Sequence, residues 1–228
     1  MGHAPENTMA SFRKALDLGA DAVECDVHLS RDGRLVVLHD ESLDRTTNGT
    51  GPVKDLPWSR IRRLDAGRWF GERFRGEHPP ALEKLLIWAR RKPLRVVVEV
   101  KTDKVRYPGI EEAVARAVRA ASMEDRTLII SFHHPTMAKI KSLDGRLFTG
   151  LLFDRPLPDL PERLKRTKAD AIFPRVSLVT ERLARWARAR GLFVGTWTVN
   201  ETADLKRMVR LGVDAVATNY PERLAALR

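Results

Sequence analysis

Short, almost wholly apolar runs alternate with helical patterns along nearly all 228 residues, and that alternation restricts the fold more than any other feature. Residues 22–27, 94–101, 127–132, 148–153, 171–174, 192–199 and 215–218 read as strands. Residues 111–121, 181–190 and 203–211 read as helices between them. A further helix at 8–18 opens the chain, with Pro5 and Asn7 as start signals, Gly19 as stop, and Met9, Phe12 and Leu16 as its buried stripe. Strands with no hydrophilic face are buried on both sides, which a parallel sheet covered by helices achieves. The strands are one fewer than a closed eight-stranded barrel needs, and the chain begins on a helix where a strand should precede it. Residues 41–81, rich in Gly, Pro, Arg and aromatics, are too long for an ordinary loop and read as an insertion with short structure of its own.

The first strand carries Glu24 and Asp26, which alternation places on one face, with Cys25 on the other. Arg31-Asp32-Gly33 is a turn signal, so 27–30 and 34–38 pair as a hairpin and bring His39 roughly opposite Cys25 and Asp26. Acids this close repel unless a cation lies between them, and a hard divalent ion with oxygen ligands, Mg²⁺ or Ca²⁺, meets that need. A solvated hairpin whose acids face water fits the spacing equally well. His28 shares parity with Asp26, which would bring it toward the site, but an exposed hairpin position is expected for it. Cys25, the single cysteine, excludes an internal disulfide and is expected to pack in the core.

Polar residues at strand ends extend this picture, because barrel active sites are built there. Glu99 closes the run VVVEV, and Lys101 lies on the same face two residues on. Glu24, Asp26 and Glu99 then make a three-carboxylate site, with Lys101 placed to meet a phosphate oxygen; a plain Glu99–Lys101 surface pair is the alternative. Trp197, in GTWTVN, either lines a pocket floor or fills the core. His133 and His134 are expected to be loop residues rather than ligands.

The net charge of +11 points to an acidic substrate or a polyanionic partner. No nucleic-acid-binding signature accompanies it, and the basic residues are scattered over many predicted helices, so no nucleic acid is expected as partner. No apolar run is long enough to span a membrane and no secretory signal opens the sequence, from which a cytoplasmic protein is expected. A membrane surface as partner has only the basic charge in its favour.

The motifs now quoted resemble the glycerophosphodiester phosphodiesterase family. APENTMASFRKALDLGADAVECDVHLSRDGRLVVLHDESLDRTTNGTG is similar to its N-terminal signature almost residue for residue. LDAGRWFGERFRGEHPPALEKLL, VVVEVK, IISF, GTWTVN and GVDAVATNYPE follow in the family's order, so the likeness covers essentially the whole chain. It implies a (β/α)8 TIM-type barrel in one domain over 1–228, with 41–81 as an insertion after the His-Asp motif. It also implies hydrolysis of a small-molecule glycerophosphodiester to glycerol 3-phosphate and an alcohol, with a divalent cation and by way of a cyclic phosphate. By the same resemblance, Glu24, Asp26 and Glu99 are the metal ligands and His39 is one of two catalytic histidines. Lys101 and Trp197 are substrate-pocket residues, and Glu6, in the PEN motif, lies near the active-site mouth.

The family also begins with an apolar strand ending in His-Arg-Gly, which supplies its second histidine and a phosphate-binding arginine. Here Met1-Gly2-His3 directly precedes APENT, and His3 does not align with that histidine. A start placed too late, or a truncation, accounts for this better than degeneration, since every later motif is intact. The expectation is a barrel with two unpaired strand edges and weak catalysis at best, which either folds poorly or forms a homodimer through the open edge. Two other functions stay in view: phospholipase D-like activity on lysophospholipids, with Trp69, Phe70 and Phe74 forming a tail groove, and a catalytically impaired barrel that only binds phosphate esters.

Overall fold

The structure is a computed structural model that describes residues 1–227. Eight strands form one curled sheet: β1 (Ala22–Leu29), β2 (Leu35–Val37), β3 (Arg95–Val100), β4 (Thr127–Ser131), β5 (Phe148–Phe153), β6 (Ala171–Pro174), β7 (Phe193–Thr196) and β8 (Ala215–Val216). Their spatial order is β2-β1-β3-β4-β5-β6-β7-β8, and every neighbouring pair except β1–β2 is parallel. Helices cover the outside, among them Met9–Asp17, Leu82–Arg90, Ile110–Ala120, His134–Leu143, Glu181–Arg188 and Thr202–Leu211. This is the (β/α)8 TIM-type barrel without its first strand among the described residues: seven strands run parallel, and β2 is the returning hairpin arm. Among the described residues β8 pairs with neither β1 nor β2, so the sheet keeps a seam between β8 and the lower half of β1.

Period-two alternation sorts the side chains into two cores. Cys25, Val27, Val96, Val98, Ile129, Leu151 and Ile172 point outward and pack under the helices. Ile130, Leu152, Ala171 and Phe173 point inward and fill the barrel, with Val97, Leu128, Phe132, Phe193 and Trp197 packed against them. The four consecutive apolar residues of 35–38 have a further cause. Leu35 and Val37 join the main core, whereas Val36 and Leu38 turn to the opposite face and meet Leu43, Val53 and Ile61. Residues 41–81 therefore fold over the back of the hairpin around a small core of their own, and return to it through a bridge between Val36 and Ala81.

Small residues make room for the aromatic filling of the barrel. A Cβ at Gly195 would run into the ring of Phe173, itself 4 % exposed and stacked on Phe193 with ring centroids 6.2 Å apart. Overpacking a filled interior costs roughly 1–3 kcal/mol. Gly195→Ala is expected to lower stability by about that amount in urea unfolding, and an unchanged midpoint would mean that the interior is looser than described.

Candidate active site

The C-terminal ends of β1 and β3 meet in register, Asp26 opposite Glu99 and Val27 opposite Val100. Inward parity then puts Glu24, Asp26, Glu99 and Lys101 on the barrel's inner face. Carboxylate oxygens of Glu24, Asp26 and Glu99 all lie within 4.8 Å of one another. Asp26 and Glu99 are buried, and Glu24 is exposed. The Lys101 ammonium stands 2.9 Å from Glu99 Oε1 and 3.6 Å from Asp26 Oδ1. One cation cannot offset three anions, so the carboxylates bear an uncompensated charge. Enough protein surrounds the Glu24 carboxyl that desolvation, ahead of repulsion from Asp26 and Glu99, pushes its pKa well above the carboxylate range. Burial likewise raises Glu99 to about 7, with Asp26 adding to the shift and Lys101 opposing it.

A set made only of carboxylate oxygens, crowded, under-compensated and open on one side, fits a hard divalent cation. A pH dependence follows. Glu99 binds its proton more tightly folded, at about 7, than at the ordinary 4.5, so its stabilisation of the cation-free protein is complete below the lower value and lost as pH rises through the higher. The cation-free melting temperature is expected to fall between about pH 5 and pH 8 more steeply than in Glu99→Gln, and saturating Mg²⁺ to remove the difference. Identical pH profiles for the two proteins would contradict this.

His39 follows the hairpin where the turn signal places it: Leu38 N donates to Asp26 O at 3.1 Å, which leaves His39 beside Cys25 at the mouth. Its ring is half exposed, and its Nδ1 lies 2.7 Å from Asp40 Oδ1. Asp40 is in turn bound by Arg45, through Nε at 2.6 Å and Nη2 at 3.1 Å, a pairing that holds the Asp40 carboxyl far below the usual range. The same guanidinium holds both oxygens of buried Glu6, at 2.6 and 3.1 Å. Trp197 is half-buried at the end of β7, where its Nε1 donates to Phe173 O at 3.0 Å and its ring meets Phe132 edge-on at 5.4 Å. The sequence left it either in the pocket or in the core. It packs on the top of the barrel filling, against Phe132 and Phe173.

Three contributors were not read from the sequence. His28 is 1 % exposed instead of sitting on an exposed hairpin position. Its Nδ1 lies 2.9 Å from the Tyr107 hydroxyl and its Nε2 lies 3.2 Å from His39 O, so it braces the backbone of His39 from below. Burial lowers its pKa to about 4, leaving a neutral ring. Asn7 does not cap the first helix; Thr8 does, accepting from Ser11 N. Asn7 adopts φ 56° and turns to Asp26, donating to Oδ2 at 2.9 Å and accepting from its backbone N at 3.2 Å. Arg45 lies near the end of the N-terminal signature quoted above, where no role was read for it. The other four histidines stay outside the constellation. His3 contacts Glu222, His78 contacts Leu64 O, and His133 contacts Arg106 and Thr136. His134, expected in a loop, is the buried first residue of the His134–Leu143 helix and contacts Leu152 O.

A parallel barrel with a carboxylate cluster, a lysine and a histidine at its C-terminal mouth carries polar groups where barrel enzymes build their active sites. The model of the glycerophosphoryl diester phosphodiesterase family matches residues 1–223, and the chain belongs to that family of phosphoric diester hydrolases. It is 40 % identical to a glycerophosphodiester phosphodiesterase of Caldanaerobacter subterraneus, over 99 % of this chain and 93 % of the relative. A Bacillus altitudinis glycerophosphodiester phosphodiesterase is 36 % identical over 100 % of this chain and 94 % of that one. Among solved structures, an Oleispira antarctica phosphodiesterase in complex with the product sn-glycerol-3-phosphate superimposes with a TM-score of 0.88 at 28 % identity, covering 99 % of this chain and 92 % of its own. No helix among the described residues is long and apolar enough to cross a membrane.

Proposed function

We propose that this chain hydrolyses small glycerophosphodiesters to glycerol 3-phosphate and an alcohol at the mouth formed by β1, β2 and β3. The observation that carries the reading is the convergence of Glu24, Asp26 and Glu99 within 4.8 Å beside Lys101, in a chain of this family. In this reading the three carboxylates hold one divalent cation, Mg²⁺ or Ca²⁺. When bound, that ion supplies Lewis-acid polarisation of the phosphoryl group. Lys101 adds positive charge against a phosphate oxygen, which it reaches by yielding part of its contact with Glu99. His39, its Nδ1 occupied by Asp40, offers Nε2 to take or return a proton at a reacting oxygen. Trp197 supplies an apolar wall for the carbon skeleton, and Glu6 borders the mouth through Arg45. The product complex of the Oleispira relative supports glycerol 3-phosphate as the part retained in such a site.

The deciding experiment is glycerol 3-phosphate release from glycerophosphocholine, with Mg²⁺ and Ca²⁺ titrated in parallel. Cation-dependent release is expected. A folded protein that binds the cation yet releases nothing would instead be a phosphate-ester-binding barrel. A second reading, phospholipase D-like action on lysophospholipids, draws on one observation. Trp69, 42 % exposed, stands edge-on to Phe70, which meets Phe74 at 5.5 Å, an apolar surface of the kind an acyl chain would use. Lysophosphatidylcholine tested beside glycerophosphocholine separates the two.

A further inference from the structure

The groups that hold His39 form one continuous chain of contacts, and Arg45 is its centre. On one side the guanidinium grips Asp40 through two nitrogens, and Asp40 Oδ1 meets His39 Nδ1 at 2.7 Å. On the other side two nitrogens grip Glu6, which is 8 % exposed. The residue after Glu6 is Asn7, whose side chain makes two hydrogen bonds to Asp26. The dipeptide Glu6-Asn7 thus ties the carboxylate cluster and the histidine to a common support, through Arg45 on one arm and directly on the other.

Two physical consequences follow from the fork geometry of a guanidinium. It can satisfy two carboxylates at once in fixed directions, which a lysine ammonium cannot do. It also anchors Asp40 in place. A freely rotating aspartate could accept from either tautomer or leave the ring altogether, whereas one pinned by two bonds presents one oxygen at one place. A neutral imidazole with its Nδ1 proton held there must expose an unprotonated Nε2.

We propose that Arg45 is a positioning residue of the phosphodiester reaction: by clamping Glu6 and Asp40 together it fixes the Nδ1–H tautomer and the orientation of His39 relative to the carboxylate cluster. The proposal rests on the hydrolytic reading for its kinetic consequence, but its structural consequence can be measured without turnover. Partners that orient a catalytic or liganding group are commonly worth about ten- to a hundredfold. Arg45→Met, which keeps length and removes the fork, is expected to lower kcat by that factor with KM changed by less than about threefold. Arg45→Lys, keeping the charge without the fork, should recover only part of the loss.

The test that separates positioning from general damage is the imidazole nitrogen spectrum of His39, assigned by comparison with His39→Gln. The neutral wild-type ring is expected to show the Nδ1–H tautomer, and Arg45→Met a mixture with Nε2–H. Asp40→Asn, which removes the anionic acceptor and leaves Arg45 in place, should give the same mixture, and serves should Arg45→Met fail to fold. A pure Nδ1–H signal in a folded variant, or kcat within twofold of wild type, would overturn the proposal. If the wild-type protein releases no glycerol 3-phosphate at all, the hydrolytic reading fails while the tautomer measurement still decides what Arg45 does.

Discussion

Glu24→Gln is expected to give a protein that melts at a higher temperature than wild type without divalent cations, is no longer stabilised by them, and has lost at least about a hundredfold in turnover. The two halves of that result have one cause. Among the described residues Glu24 has no hydrogen-bond or ion-pair partner, and it faces Asp26 and Glu99 within 4.8 Å. Desolvation and those two charges already raise its pKa, so ionising it costs folding energy. Glutamine keeps the shape and removes both the charge and the cost. It also removes one of three anionic oxygens from the set, and affinity for hard cations tracks ligand charge. Thermal unfolding with and without Mg²⁺ or Ca²⁺, run beside the glycerol 3-phosphate assay, reads both halves. Normal turnover would dismiss the cation site; a lower cation-free melting temperature would dismiss the repulsion argument alone.

The parts of this site that could be read from the sequence are those set by period-two alternation over short distances. Glu24 with Asp26, and Glu99 with Lys101, fall on the inner face because their neighbours Cys25, Val98 and Val100 are apolar and go outward. His39 follows from the turn at Arg31-Asp32-Gly33, where Gly33 takes φ 77° and returns the chain in register. Strand positions were equally legible, since a buried parallel strand has nowhere to place polar residues except its end. The seven strands expected in parallel, and the antiparallel arm, are the ones observed.

What escaped has the opposite character. His28 looked like a hairpin residue because its partner, the Tyr107 hydroxyl, is 79 residues away, and no local pattern encodes that meeting. Asn7 carries the composition of a helix start, and its use on Asp26 appears only once β1 lies beside the first helix. Arg45 is one basic residue among many in a chain of net charge +11, so charge alone could not single it out. Sequence patterning reports which face a side chain takes. It does not report which distant side chain will be waiting there, and the Arg45–Glu6, Asn7–Asp26 and His28–Tyr107 contacts are such distant pairs. A practical consequence is that Asn7, His28 and Arg45 are as informative to substitute as the carboxylates, although none belongs to the carboxylate cluster.

The second large effect is expected at His39. His39→Gln removes the ring that can exchange a proton and retains a polar side chain, and general acid–base groups are worth roughly a hundred- to ten-thousandfold. Stabilisation by Mg²⁺ or Ca²⁺ should survive, because the ring is not among the clustered oxygen ligands. That survival distinguishes it from Glu24→Gln, where catalysis and cation binding fail together. The leaving group then identifies which proton His39 moves. A glycerophosphodiester of 4-nitrophenol expels a weakly basic anion that departs without protonation, whereas choline or ethanolamine departs as an alkoxide that needs one. If His39 Nε2 delivers the proton to the leaving oxygen, the loss caused by His39→Gln should shrink sharply on the nitrophenyl substrate. If it instead takes the proton from the attacking hydroxyl, the loss should be nearly equal on both, since the nucleophile is unchanged. A variant with full activity on glycerophosphocholine would remove His39 from the mechanism, and with it the reason for the Asp40–Arg45–Glu6 support behind it.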